Sequence, residues 1–129
     1  MSANKAVDDC IAACIQCSVA SDDCAELCAE AGGLEDVRQL CLDCSESCRF
    51  CVDSLQVGSS ADCDACAEAC EACAMACERT DKEYCRQCAT ACRLCETACR
   101  TLIDQEHLLG GPGSVEDQLT RGLIGPRGL

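Results

Sequence analysis

The chain is almost without aromatic residues: its 129 residues include no Trp, one Tyr and one Phe. The side chains that usually fill a core are therefore scarce, and the 49% hydrophobic share depends heavily on Ala and Cys. No stretch approaches the roughly 20 apolar residues that span a bilayer, and Met1 to Val7 has no apolar run of signal-peptide length. The expected location is accordingly cytoplasmic. Basic side chains are few, 10 against 23 acidic ones for a formal charge of -13. That balance argues against nucleic acid and anionic membrane surfaces as partners and gives a solvated acidic surface that attracts cations at long range. Proline occurs only at Pro112 and Pro126. Neither is near a cysteine, which disfavours the loop-borne, proline-flanked cysteines of ferredoxin clusters.

What the chain has instead is 19 cysteines. They form four runs: Cys10, Cys14, Cys17, Cys24, Cys28; Cys41, Cys44, Cys48, Cys51; Cys63, Cys66, Cys70, Cys73, Cys77; and Cys85, Cys88, Cys92, Cys95, Cys99. Every interval within a run is three or four residues except Cys17 to Cys24, where Ser21 holds the missing position. Residues so spaced share one helix face, so each run stacks its thiols in a column, and four facing columns make a core of sulfur. Free cysteine is a small hydrophobe with a reactive sulfur. A core built from it packs loosely unless something else fills the space. An odd number of cysteines and a reducing compartment both argue for metal rather than disulfides.

The pattern predicts helices over residues 4–31, 34–57, 61–79 and 81–107. They are separated at Gly32-Gly33, at Gly58 with Ser59-Ser60, and at Thr80 or Asp81, either of which is a suitable N-cap. Short connections join antiparallel neighbours. The expected fold is all-α, an antiparallel up-down four-helix bundle with a cysteine-lined core, over residues 1–109. Val7, Leu34, Val37, Leu55, Leu102 and Ile103 extend the columns and plug both ends. Leu42, Phe50, Val52 and Leu94 lie beside the sulfur face, where they either widen the apolar stripe, the favoured reading, or form a bundle-to-bundle contact, and Met75 is read as packing. A Gly/Pro/Ser linker follows over 110–114, then a flexible C-terminal tail over 115–129.

Thiolate is a soft ligand suited to Cu(I), zinc and iron-sulfur clusters. Four thiolates around Zn²⁺ leave a charge of minus two, and several such sites in one core would meet a heavy desolvation penalty. Cu(I) accepts two or three sulfurs and bridging thiolates, and each ion displaces one proton, so a column loads without gaining charge. Multiple Cu(I) ions held by the 19 cysteines are therefore expected, with storage rather than catalysis as the function. The alternatives are a metallothionein-like zinc or mixed soft-metal buffer, and a thiol-disulfide redox protein using pairs such as Cys41 and Cys44. The redox reading needs an exposed thiol of low pKa.

The four cysteine columns, the absent secretion signal and the acidic surface resemble the bacterial cytosolic copper storage proteins, over about residues 4–107. The resemblance implies many Cu(I) ions inside a four-helix bundle, a homotetramer, a copper chaperone as a partner, and no catalysis. It also makes His107, the one histidine, a candidate metal ligand where copper enters at a bundle end. In the tail, Leu119, Thr120, Gly122 and Ile124 resemble the C-terminal peptides that load cargo into encapsulin nanocompartments, which implies an encapsulin shell as a further partner and location.

Overall fold

The computed structural model describes residues 4–108. Four helices follow one another, α1 (Lys5–Ala31), α2 (Glu35–Gln56), α3 (Cys63–Glu78) and α4 (Glu83–Leu108), and there is no strand among the described residues. Each helix packs against two neighbours in the ring α1, α2, α3, α4, and α4 closes back onto α1. This is the up-down four-helix bundle that the periodicity implies.

Local chemistry sets the helix ends. Asn4 caps α1, its Oδ1 accepting from the amides of Ala6 at 2.9 Å and Val7 at 3.3 Å, which satisfies two of the donors that a helix start leaves unpaired. At the other end Gly32 adopts φ 76° and donates its N–H to the Cys28 carbonyl at 3.0 Å, a positive-φ stop that glycine takes without strain. Helix α3 begins at Cys63, two residues later than its pattern suggests. The Asp62 carboxylate is engaged by the Ser54 hydroxyl of α2 and makes no cap bond to the helix, so residues 61 and 62 remain a turn.

The start of α4 also differs from the expected N-cap at Thr80 or Asp81. The amides of Cys85 and Arg86 both donate to the Lys82 carbonyl at 3.1 Å, while the Thr80 hydroxyl donates to the Cys77 carbonyl at 3.0 Å and so finishes α3 instead.

All the cysteines point inward, none more than 1% exposed. Val37, Leu55 and Leu102 are buried beyond the columns, with Val7, Leu34 and Ile103 packed partly over them. Buried Ala25, Ala67, Ala74, Ala89 and Ser45 lie in the helix interiors, where small side chains let adjacent helices approach closely. The flanking residues divide: Leu42 and Val52 pack on the core, whereas Phe50 and Leu94 are exposed to solvent. Met75 is also exposed rather than packed. Arg93 and Arg100 of α4 share Glu96 and reach across to Glu78 and Glu71 of α3. Such surface pairs contribute about 1 kcal/mol or less each, so burial carries the fold.

Leu102 is 1% exposed and closes one end of the core, whereas Leu94 on the same helix is 59% exposed. Leu102→Ala is expected to destabilise the reduced, metal-free protein by about 2–5 kcal/mol, and Leu94→Ala by less than about 0.5 kcal/mol. Urea unfolding followed by circular dichroism measures both. Equal effects would mean that this end of the bundle is not packed as described.

Candidate metal centre

Alternating steps of three and four residues raise successive thiols by about 4.5 to 6 Å along a helix. Facing thiols across the bundle lie closer, at 3.5 to 4.0 Å, and the sulfurs form a ladder of layers. The first layer takes one cysteine from each helix, Cys10, Cys51, Cys63 and Cys99, with all four Sγ atoms within 4.8 Å of one another. Within it Cys10 and Cys99 are 3.5 Å apart and Cys51 and Cys63 3.7 Å. Cys14, Cys48, Cys66 and Cys95 make the second layer under the same limit, with Cys14 to Cys95 at 3.5 Å. Cys17, Cys44, Cys70 and Cys92 form the third, where Cys17 lies 3.6 Å from Cys44 and 3.7 Å from Cys92.

The layers are not separate sites. Cys14, Cys51, Cys66 and Cys99 also fall within 4.8 Å of one another, as do Cys17, Cys48, Cys70 and Cys95. Those two sets straddle the first and second layers and the second and third. One thiol thus belongs to two quartets, the arrangement that bridging ligands need. Two metal-sulfur bonds of about 2.3 Å placed end to end span such a gap.

The gap in the α1 column falls in the fourth layer. Ser21 is fully buried, its Oγ 3.7 Å from the Cys88 sulfur, 3.8 Å from Cys17 and 3.9 Å from Cys92. Cys41 and Cys73 complete the layer at 3.6 Å. Beyond it, Cys24, Cys41, Cys77 and Cys88 form another quartet. The ladder then ends with Cys28, 4.0 Å from Cys24, and Cys85, 3.8 Å from Cys24. Every cysteine in the sequence pattern therefore joins one continuous body of free thiols. His107 lies in the last turn of α4, and its side chain is outside the described residues. The tail residues Leu119, Thr120, Gly122 and Ile124 lie outside them as well.

Two features escaped the sequence reading. Ser45 is as buried as the thiols, and its hydroxyl has no hydrogen-bond partner; its position four residues after Cys41 was the available signal. The Tyr84 hydroxyl beside Cys85 is likewise buried and unpartnered.

No Asp, Glu, Lys or Arg is buried among the described residues. The core is neutral while its thiols are protonated, and its electrostatics are those of thiols acting on thiols. The surrounding thiols of Cys17, Cys48, Cys70 and Cys73 hold Cys44 well below the usual thiol range. Cys48, set among the thiols of Cys14, Cys17, Cys44 and Cys66, is pushed up correspondingly. A first thiolate is thus stabilised where its neighbours remain protonated. Progressive ionisation without a cation is opposed, and a monovalent soft cation replacing each proton removes that opposition.

Comparison with known proteins gives a consistent result. The family model described as copper storage protein matches residues 3–104. Among solved structures, a histidine-to-alanine variant of the Streptomyces lividans protein Ccsp is 33% identical, with a TM-score of 0.73 over 78% of this chain and 93% of that one. A structure of copper loading, with five coppers, to a cytosolic copper storage protein from Streptomyces lividans is 32% identical with the same TM-score and coverage. Cu(I)-bound copper storage protein BsCsp3 is 33% identical, with a TM-score of 0.71 over 74% of this chain and 96% of that one. No curated protein sequence matches the chain.

At the far end of the ladder, burial and then the nearby Cys85 raise the Cys28 thiol from 9.0 to about 11. The unfolded chain ionises there first, so this contribution to stability is fully present below pH 9 and is lost as pH rises through about 11. The melting temperature of the reduced, metal-free protein should fall over that window, and Cys28→Ala should make the fall shallower. Differential scanning calorimetry under argon reads both, and a flat profile between pH 9 and 11 would contradict the assignment.

Proposed function

The chain belongs to the copper storage protein family and stores Cu(I), and we propose that its 19 thiols hold the metal as one bridged ladder rather than as isolated sites. The overlap of the quartets carries this reading, because a thiol shared by two quartets has two metal positions to serve. Each arriving Cu(I) takes the place of one proton, and the buried interior keeps the same charge at every stage of filling. Softness of thiolate towards Cu(I) provides the affinity.

Zinc is the weaker reading on the same geometry. Adjacent tetrathiolate Zn²⁺ sites would each bury two negative charges, and they would compete for the shared sulfurs. Disulfide exchange finds little support either, since it requires an accessible thiolate and every cysteine here is at most 1% exposed.

The proposed setting is the cytosol, where reduced thiols persist. None of the described helices is long and apolar enough to cross a membrane. A homotetramer and a copper chaperone as donor complete the proposal, together with an encapsulin shell recognised through Leu119, Thr120, Gly122 and Ile124. Support for the shell is that tail motif behind its Gly110–Ser114 linker. A tether of this kind costs little to extend, and many copies docking in one shell add avidity.

Anaerobic titration against a Cu(I) chelator is expected to saturate near about one ion per cysteine if thiolates bridge, and zinc should not displace the bound copper. Saturation at four or five ions would sink the bridged ladder in favour of isolated four-sulfur sites.

Deleting residues 115–129 should leave copper capacity and helicity unchanged while abolishing co-purification with a co-expressed shell. The same segment grafted onto an unrelated soluble protein should load that protein into the shell. Loss of copper on truncation would instead make the tail part of the fold.

A further inference from the structure

Thiols of the ladder pass from one quartet to the next in a regular order. After the first layer comes a straddling set that keeps the α2 and α4 sulfurs, Cys51 and Cys99, and takes the next α1 and α3 sulfurs, Cys14 and Cys66. The set between the second and third layers, Cys17, Cys48, Cys70 and Cys95, repeats that rule. One rung further on, the rule calls for Ser21 with Cys44, Cys73 and Cys92, and the fourth layer for Ser21 with Cys41, Cys73 and Cys88. It is next met in full by Cys24, Cys41, Cys77 and Cys88. One serine thus stands in two successive sets.

Ser21 occupies the place of a thiol without its chemistry. It is fully buried, and its Oγ lies 3.7 Å from Cys88, 3.8 Å from Cys17 and 3.9 Å from Cys92. A hydroxyl keeps its proton where a thiol exchanges its own for Cu(I), and its oxygen is a hard donor with little hold on a soft ion. Nor can α1 bridge the rung from its two sides. Cys17 and Cys24 are seven residues apart, a rise of about 10.5 Å, whereas two metal-sulfur bonds end to end reach about 4.6 Å. Passage across the rung therefore depends on the sulfurs of the other helices, and along α4 the contact is Cys88 to Cys92 at 3.9 Å.

From this interruption we propose that Ser21 divides the copper store into two pools that release their ions at different rates. One pool is the twelve thiols of the three complete layers; the other is the remaining seven, Cys41, Cys73 and Cys88 of the broken layer with the four thiols beyond it. The proposal rests on the bridged storage reading and adds a boundary within it. Inside a pool, Cu(I) moves between thiolates without change of oxidation state, and each thiol that gains the ion gives up its proton to the one that loses it. At the boundary the ion meets a set short of one sulfur twice in succession. A thiolate formed there at Cys88 or Cys92 also accepts a hydrogen bond from Ser21 Oγ, which draws on the electron density that would otherwise bind copper. The smaller pool has its own reporter. Tyr84 is the one tyrosine of a chain without tryptophan, and it packs on the core and lines a groove with Cys24 and Cys88.

Release of copper from the saturated full-length protein to excess bicinchoninate, under argon, tests the boundary. It should occur in two phases severalfold apart in rate, with amplitudes in the ratio of the thiols, twelve to seven. Tyr84 emission, quenched by the copper-thiolate bonds beside it, should recover with the smaller phase. Ser21→Cys should bind about one further ion per monomer, because it adds one soft thiolate ligand, and should release all its copper in a single phase. Ser21→Ala removes the hydroxyl without supplying sulfur, and should keep both phases and the original capacity. A single phase in the unaltered protein, two phases persisting in a folded Ser21→Cys protein, or a single phase in Ser21→Ala would each overturn the proposal. So would Tyr84 emission that recovers in proportion to total copper released. Should Ser21→Cys not fold, the phases and the Tyr84 recovery of the unaltered protein decide alone. The bridged ladder fails in the number of ions bound, whereas the boundary fails in release kinetics, so the two outcomes are distinct.

Discussion

Any net charge in this core has no fixed counter-charge among the described residues to meet it, and the desolvation penalty for a buried ion is several kcal/mol. No acidic or basic side chain is buried among the described residues. A protonated thiol meets the constraint when metal is absent, and a thiolate bound to a monovalent cation meets it when metal is present. The acidic residues are kept to the exterior, where they are hydrated and add solubility. The preference for Cu(I) over a divalent ion follows from this neutrality as much as from the softness of sulfur.

A core of small side chains brings a second constraint. Cysteine buries less apolar surface than leucine, so a bundle built from it must recover stability elsewhere. Buried alanines such as Ala67, Ala74 and Ala89 allow close helix approach, while Leu55 and Leu102 provide larger apolar volume at one end. Capping by Asn4 and the glycine stop at Gly32 define α1 independently of any metal. The scaffold is therefore organised before copper arrives, in contrast to zinc-dependent small domains that are unfolded without their ion. Metal bound to the folded state then adds stability by mass action.

Preorganisation also bears on how ions move within the ladder. Thiols at 3.5 to 4.0 Å from partners in the same and adjacent layers offer each ion a next ligand before the last is released, so short steps replace full dissociation. Ser21 is the exception, a buried oxygen at one rung of the α1 column. The sulfurs of the other three helices continue past it through Cys41, Cys73 and Cys88, which leaves the ladder connected.

The alternation of three and four was enough to identify the helices, place each thiol on an inward face and locate the breaks at Gly32 and Gly58, because these are properties of a single helix and its ends. The softness of nineteen thiols likewise identified the metal. Which thiols share a layer was not legible, since it depends on the axial offset and rotation of one helix against the next, and these are settled by packing. The same packing buried Ser45, left Phe50 and Leu94 in solvent although all three flank the columns, and moved the start of α3 by engaging Asp62 with Ser54. It also brought Cys24 and Cys88, 64 residues apart by their numbers, into one groove. Periodicity specifies a direction relative to one helix axis, whereas a ladder and the gap in it are relations between axes that only the assembled bundle possesses.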